Sequence, residues 1–417
     1  MKIIIANYRY FIAGGPERYM FKFIDTAKEH GDECIPFSVD YAMNEKTPYS
    51  KYFITPRGNR EDLFFSNIKL TPKNIIKMLN CTIYNFEAEK KMRKLIRDVN
   101  PDVIYVLQEI NALSPSIINA AKKENVRVVH RISDFFMFCP KSDFLNGNQI
   151  CEKCIQGNYC NAIKNRCVKN SMYATLVRVF AMKLYSRIRI FEKVDAYITT
   201  CQFTRKKMIL GGVPAEKIIC IPTFIDSSKI NPCYSNEGYF LYLGRVVEQK
   251  GVIYAVEAMR YLKEKGIKLK ITGELDESEE SKKVSAVIKK YDLNDCVEFV
   301  GFQGGKALEH IIQNSIAVIN PAIWYENMPN TVIEAYAFGK PVVASRIGSL
   351  AEIVEDNYSG LLFEMGNSKD LSLKLQKLID NPELAVKLGH QARKLCEDKY
   401  NVEKHYRSVM DVLTSKN

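Results

Sequence analysis

Short apolar runs alternate with amphipathic segments along the first half of the chain. "MKIIIANYRY" reads as a buried strand, and "GGPERYMFKFIDTAKEHG" reads as a glycine turn followed by an amphipathic helix that stops near Gly31. Further strands are predicted in "DVIYVL", "VRVVHRI", "DAYITT" and "IICIP". This alternation is typical of parallel βαβ units.

The alternation stops at "PTFIDSSKINPCYSNEG", which is rich in turn-forming residues, and then starts again. The second series of strands is "YFLYLGR", "LKITG", "VEFVG", "IAVINP", "PVVAS" and "GLLF". We therefore predict two α/β domains that face each other across a cleft, with ligands bound beyond the carboxyl ends of the strands.

Composition narrows the class of protein. The chain has 417 residues, of which 47% are hydrophobic, so it can bury the cores of two domains. Its net charge of +12 favours an anionic partner, or simply a basic solvated surface. No apolar run is long enough to span a membrane, and "IIIA" is too short for a signal-peptide core, so we expect a cytoplasmic protein whose 12 cysteines are thiols or metal ligands.

Candidate ligand-binding residues follow the first strand of each domain. Gly14 and Gly15 precede a helix, and their backbone can approach an anion or simply form a tight turn. In "LGRVVEQKGV", Arg245 and Lys250 also lie between a strand and a helix. These two cations could converge on a diphosphate, or they could be ordinary exposed side chains.

Two glutamates lie eight positions apart in "WYENMPNTVIEAYAFGKPVVAS". Thr331 and Glu334 fit a capping box, which gives Glu334 a purely structural alternative. In the functional interpretation, Glu334 accepts hydrogen bonds from a vicinal diol such as a ribose. Glu326 then meets a second polyol or a positive reacting centre, although a loop glutamate is usually just solvated.

Together these segments resemble the retaining family 4 glycosyltransferases, which have the GT-B fold of two Rossmann-like domains. The resemblance rests on "GGPERY", "GRVVEQKGV", "ITGELDE", "VEFVGF", "ENMPNTVIEAYAFGKPVVAS" and "GSLAEIVEDNYSGLLF", in that order. It implies an acceptor-side domain over 1–225, a donor domain over 236–396, and a helix over 397–417 that returns to the first domain.

The resemblance also implies roles for individual residues. Arg245 and Lys250 would hold the donor diphosphate, Glu334 the ribose and Glu326 the transferred sugar. The remaining donor contacts are expected from the backbone near Asn327, Met328 and Asn330 and from Gly14 and Gly15 of the opposite domain.

The implied reaction moves a sugar, with retention of configuration, from a UDP- or GDP-sugar to a glycan or lipid-linked acceptor in surface polysaccharide synthesis. Fixed cations would stabilise the departing diphosphate. The chain has no D-x-D motif, which agrees with catalysis that requires no metal cofactor. The alternatives are an epimerase or phosphorylase of the same fold, or a non-catalytic basic zinc-containing binding protein. No nucleic-acid partner is expected.

One motif departs from the family pattern. Many relatives have a His-Asp pair where "VVHRISDFFMFCP" has Ser133-Asp134. His130 either takes the place of the missing histidine or has only a structural role on its strand. Asp134 keeps its position in the motif and is expected in the pocket, with a loop or helix cap as the alternative.

A cysteine-rich insertion occupies about 139–167. A structural zinc could be bound by four cysteines whose spacings suit it, Cys151, Cys154, Cys160 and Cys167, and Cys139 could replace one of them. The alternatives are free thiols, an iron–sulfur cluster or redox pairs. The following segment, "SMYATLVRVFAMKLYSRIRIFEKV", is basic and apolar. It either rests on the anionic inner face of the cell membrane or is a core helix with cationic outer residues.

Overall fold

The computed structural model describes residues 1–62, 68, 71–110 and 112–415, without the side chain of Lys73. Its first half contains a six-stranded parallel sheet. The strands are β1 (Lys2–Asn7), β2 (Glu33–Phe37), β3 (Val103–Gln108), β4 (Arg127–Arg131), β7 (Ala196–Thr199) and β8 (Ile218–Cys220). Their order in the sheet is β2-β1-β3-β4-β7-β8, and every pairing is parallel.

Helices cover both faces of this sheet, so its strands can be apolar on both sides. Residues 3–7 of β1 are all buried, for example. The helices of this half are α1 (Gly15–Glu29), α2 (Pro72–Ile83), α3 (Phe86–Val99), α4 (Ser116–Lys123), α5 (Cys160–Lys164), α6 (Met172–Arg187) and α7 (Gln202–Leu210). A two-stranded antiparallel hairpin, β5 (Leu145–Asn146) and β6 (Gln149–Ile150), lies in the cysteine-rich segment.

The second half contains another six-stranded parallel sheet. Its strands are β9 (Tyr239–Tyr242), β10 (Lys268–Ile271), β11 (Val297–Phe299), β12 (Val318–Asn320), β13 (Val342–Ser345) and β14 (Gly360–Phe363). Their order is β11-β10-β9-β12-β13-β14, again with parallel pairing throughout. The two sheets confirm the predicted α/β class.

Helices again flank the second sheet. They are α8 (Val252–Ala258), α9 (Glu279–Tyr291), α10 (Gly305–Gln313), α11 (Asn330–Ala337), α12 (Leu350–Ile353), α13 (Ser368–Asp380) and α14 (Pro382–Lys399). The last helix, α15 (Val402–Thr414), leaves this half. Its Tyr406 and Val409 share an apolar core with Ile3 and Phe23 of the first half.

Candidate functional site

The second sheet reverses its direction of winding between β9 and β12. At such a switch point the two following loops separate and leave a crevice at the carboxyl edge of the sheet. The loop after β9 carries Arg245 and Lys250, and the loop after β12 carries Glu326. The topology therefore brings together residues that are about 80 positions apart in the sequence.

Lys250 and Glu326 meet in this crevice. The Lys250 Nζ lies 2.6 Å from the Glu326 Oε1, and the Trp324 indole Nε1 donates to the same oxygen at 2.9 Å. Glu326 is only 7% exposed, and its backbone carbonyl accepts a hydrogen bond from the Ser349 hydroxyl at 2.7 Å. A nearly buried carboxylate is thus held by one cation and one neutral donor, so its position is well defined.

Gly251 explains how the two loops come so close. Its φ of +65° is in the left-handed region, and a Cβ added there would lie 2.1 Å from the carbonyl oxygen of Pro321. Only a residue without a side chain allows the loop after β9 to pack directly on the loop after β12. The Lys-Gly pair in the sequence therefore places the Lys250 ammonium against Glu326.

Arg245 differs from Lys250 because its side chain is exposed. In the part of the chain that the structure describes, its guanidinium makes no hydrogen bond or ion pair. The crevice therefore has an unneutralised positive charge at its mouth, which suits an anionic ligand.

Glu334 lies on α11, on the side that faces the first half of the chain. Its carboxylate is 3.7 Å from the Arg18 guanidinium of α1. The capping-box alternative for Glu334 is wrong: α11 begins after Pro329, and no side chain caps its first turn. Thr331 lies inside the helix, and the Arg18 guanidinium is the charged group that faces the Glu334 carboxylate.

The predicted glycines lie opposite this helix. Gly14 is the residue before α1, and a Cβ placed on Gly15 would lie 3.4 Å from the Asn330 side-chain amide. The amino-terminal ends of α1 and α11 thus approach each other across the crevice. Each end carries the partial positive charge of a helix amino terminus, and at α1 the carboxylate of Glu17 already accepts from the backbone N–H groups of Gly14 and Glu17.

Asn327 and Met328 join the two halves of the chain. The Asn327 side chain donates to the carbonyl of Ile132 at 2.7 Å and accepts from the Thr200 hydroxyl at 2.8 Å. The Met328 sulfur accepts from the backbone N–H of Thr223 at 3.2 Å. Their side chains therefore act as bridges between the halves, a feature that the sequence does not reveal.

Asp134 lines a small cavity in the first half, beyond the ends of β3 and β4, together with His130 and Ser133. Burial raises the pKa of Asp134 to about 7, and the nearby Glu109 adds to this effect. One carboxylate oxygen also accepts from the backbone N–H of Phe136 at 2.8 Å, so the expected loop-capping contact coexists with the pocket position.

The side chains of His130 and Ser133 have different partners, so His130 does not take over the contact of Ser133. Its Nε2 is 3.1 Å from a carboxylate oxygen of Glu109, and both side chains are buried. The Ser133 hydroxyl instead donates to the carbonyl of Leu107 at 2.9 Å. Glu109 was missed at the sequence level, although an acidic residue two positions after the predicted strand "DVIYVL" was a usable signal.

Glu152, in the middle of the cysteine-rich segment, is another residue that the sequence did not single out. Its carboxylate accepts from the Tyr325 hydroxyl at 2.6 Å and pairs with Lys207 at 2.5 Å. Tyr325 also packs edge-on against Phe203, with ring centroids 4.6 Å apart. The insertion therefore contacts the residue next to Glu326 and helps to hold that loop in place.

The structure gives no support to the predicted four-cysteine zinc site. Among the residues that the structure describes, no three Cys, His, Asp or Glu side chains are placed to hold a metal ion. Cys160 is exposed at the start of α5, whereas Cys154 is buried against α6. Burial raises the pKa of Cys154 to about 11, so its protonated thiol is favoured, and the nearby thiols of Cys139, Cys151 and Cys167 add to this effect.

Across the described ranges, every helix is too short or too polar to cross a bilayer.

Two family sequence models match the chain. The model described as "Glycosyltransferase Family 4" matches residues 13–229, and the one described as "Glycosyl transferases group 1" matches residues 224–395. The first covers half of the chain, and the two meet near the end of the first sheet.

Curated relatives agree with these matches. The amylovoran biosynthesis glycosyltransferase AmsK of Erwinia amylovora is 28% identical over 238 residues, which cover 54% of this chain and 57% of that protein. The capsular polysaccharide biosynthesis glycosyltransferase CapM of Staphylococcus aureus is 24% identical over 54% of this chain and 62% of its own length. An uncharacterised glycosyltransferase of Haemophilus influenzae is 24% identical over 92% of this chain and 96% of its own.

Solved structures share the fold. A sucrose-phosphate synthase of Thermosynechococcus elongatus superposes with a TM-score of 0.71 at 17% identity, over 99% of this chain and 98% of that one. HepE of Anabaena, solved in complex with UDP, superposes with a TM-score of 0.67 at 15% identity over the full length of both chains. At these identities the similarity establishes the two-domain fold.

Proposed function

This chain belongs to glycosyltransferase family 4 and is a glycosyltransferase, and from that premise we propose the details of its reaction. It transfers a sugar from a UDP- or GDP-sugar, with retention of configuration and without a metal cofactor. The acceptor is a glycan or a lipid-linked saccharide. The relatives named for amylovoran and capsular polysaccharide biosynthesis support a role in surface polysaccharide assembly.

The observation that carries this proposal is the pair of half-buried Lys250 and buried Glu326 at the switch point, with an exposed Arg245 on the same loop as Lys250. Without a ligand, Lys250 and Glu326 neutralise each other. A donor diphosphate brings two negative charges to Arg245 and Lys250, so both cations then face the leaving group. Glu326 is left beside the sugar, where a carboxylate stabilises positive charge on the anomeric carbon.

The proposed transfer step needs no protein nucleophile. The acceptor hydroxyl oxygen bonds to the anomeric carbon on the face from which the diphosphate leaves, and the bond from that carbon to the phosphate oxygen breaks. The hydroxyl proton passes to the departing phosphate oxygen. The side chains bind and orient, and Glu334 holds the ribose of the donor nucleotide.

Asp134 belongs to the acceptor side of this proposal. It lies in the first half of the chain, beyond the carboxyl ends of β3 and β4, in a cavity with the Glu109–His130 pair. Its carboxyl can hydrogen-bond an acceptor hydroxyl and hold it towards the donor.

The first experiment is a screen of single UDP- and GDP-sugars by thermal shift, followed by product analysis. A donor at 100 times its dissociation constant stabilises the fold by about 2.7 kcal/mol. With that donor and an oligosaccharyl diphosphate-lipid acceptor, we expect free nucleoside diphosphate and a lengthened acceptor whose new linkage keeps the donor's anomeric configuration. The reaction is expected to continue in excess EDTA.

The variant Arg245→Met tests the role of this side chain in donor binding. Because the Arg245 side chain makes no described ion pair, its loss should leave stability unchanged and weaken donor binding by about 10- to 100-fold, as expected for a charged hydrogen bond. Lys387→Met, on the exposed side of α14, is the control and should bind the donor like the wild type. An inverted product, free nucleotide with no lengthened acceptor, or equal donor binding by all three proteins would contradict the proposal.

A further inference from the structure

The outer face of α6 carries large apolar side chains that no described part of the chain covers. Tyr173, Leu176 and Phe180 are 83%, 44% and 58% exposed. Continuing at helical spacing, Lys183 and Arg187 extend the same exposed ridge. The helix thus has an apolar ridge that ends in two cations.

The opposite face of α6 is fully used by the fold. Val179 and Met182 pack against the cysteine-rich segment, and Arg178 lies over the Phe136 ring at 4.8 Å. The core-helix alternative from the sequence is therefore confirmed for this face of α6. What distinguishes it from an ordinary core helix is the apolar outer ridge.

Helix α2 adds to this surface. It contacts α6, and the Tyr185 hydroxyl of α6 donates to the carbonyl of Thr82 on α2 at 2.7 Å. Among its described side chains only Cys81 is buried, whereas Ile75, Ile76 and Leu79 are exposed. Soluble proteins rarely leave so many large apolar side chains exposed on neighbouring elements unless another surface covers them.

The charge around these helices favours one kind of covering surface. Neither α2 nor α6 contains an acidic residue, and the chain has no Asp or Glu from Cys160 to Ile190. The end of α5 and the loop before α6 add the exposed cations Lys164, Arg166 and Lys169. A protein partner whose surface carries charges of both signs would not complement a face that carries only positive charges. An anionic lipid surface complements it along the whole face.

We propose that the outer faces of α2 and α6 form a docking surface for an anionic lipid bilayer, with the apolar ridge inserted between headgroups and the cations against them. This inference concerns a surface outside the donor crevice. It does not depend on the reaction proposed above, because vesicle binding is measured without substrate.

The position of α6 gives the docking surface a consequence for the acceptor. Phe136, under the inner face of α6, lines the cavity that contains Asp134. The bilayer-facing ridge and the acceptor-side cavity therefore lie on opposite faces of one helix.

The test is co-sedimentation of the full chain with vesicles of phosphatidylcholine containing phosphatidylglycerol, and with vesicles of phosphatidylcholine alone. We expect binding to the anionic vesicles that weakens as salt is added. Replacing Tyr173, Leu176 and Phe180 by Ser should lower the partition coefficient at least tenfold. Phe302→Ser, which removes an equally exposed aromatic side chain from the other half of the chain, should leave it unchanged.

A second variant keeps the proposal testable if the triple variant does not fold. If the triple variant loses its circular dichroism spectrum, the double variant Lys183→Gln with Arg187→Gln replaces it, since both side chains are exposed; it should weaken binding to anionic vesicles only. Failure of the wild type to sediment, or equal binding by wild type and variants, would overturn the proposal. So would a dimer in solution that the ridge variants dissociate and that binds no vesicles.

Discussion

Replacing Gly251 by Ala tests how the candidate site is assembled. Gly251 and Gly266 have the same φ of +65°, but they differ in their surroundings: a Cβ on Gly251 would lie 2.1 Å from the Pro321 carbonyl oxygen, and one on Gly266 has nothing within 4 Å. Either substitution places alanine in the left-handed region, which costs about 1–2 kcal/mol. Part of that cost is offset, by about 0.4–1 kcal/mol, because alanine also restricts the unfolded chain.

The difference between the two variants therefore isolates the backbone contact. The 2.1 Å approach is about 1 Å shorter than an ordinary carbon–oxygen contact, so the loop after β9 has to move away from the loop after β12. We expect Gly251→Ala to lose about 2–4 kcal/mol of unfolding free energy, against about 1 kcal/mol or less for Gly266→Ala.

Activity should separate the two variants more sharply. A shift of about 1 Å between Lys250 and Glu326 is expected to lower kcat/KM by about 100-fold in Gly251→Ala. The Gly266→Ala enzyme should keep wild-type activity. Urea unfolding and steady-state kinetics make the two measurements. Equal losses of stability, or full activity in Gly251→Ala, would refute the role given to this glycine.

Three further predictions concern side chains at the crevice and the cavity. A double-mutant cycle of Lys250→Met and Glu326→Gln should give a coupling of about 1–3 kcal/mol in urea unfolding, and additivity would contradict their pairing. Because the pKa of Asp134 is raised to about 7, the folded state keeps a proton that the unfolded state releases near pH 4, and stability should fall as pH rises between these values. Asp134→Asn should remove this contribution, which is at most about 1.4 kcal/mol per pH unit, and an unchanged slope would show that the carboxyl titrates normally. Glu152→Ala and Tyr325→Phe should both lower kcat more than they raise the KM for the donor, because they loosen the loop that holds Glu326; unchanged kcat in both would argue against this contact.

Much of the fold was readable from periodicity. Apolar runs followed by amphipathic segments identify parallel strands and covering helices, because local sequence decides which face of an element is apolar. The same pattern places Arg245, Lys250 and Glu326 at strand ends. The α/β class and the family resemblance are confirmed, whereas the domain limits and the roles of these residues remain predictions.

Other expectations depended on geometry that spacing does not contain. The four-cysteine zinc site stays a prediction. Cys160 is exposed at the start of α5, whereas the thiols that act on the buried Cys154 are those of Cys139, Cys151 and Cys167. The capping box at Thr331 was wrong because Pro329 is the N-cap residue of α11, so Thr331 already lies inside the helix. The spacing of residues in a motif does not determine where their side chains point, because the backbone conformation decides that.

The sequence by itself thus determined the elements, their order and the kind of residue at each strand end, since these follow from local propensity and apolar patterning. Only the tertiary structure decided which of those residues meet. Glu152 contacts Tyr325 from 173 positions away, and Glu109, just after β3, reaches His130 on the neighbouring strand β4. Such contacts arise from how sheets, helices and loops pack on one another, and packing is a property of the whole chain and not of any segment.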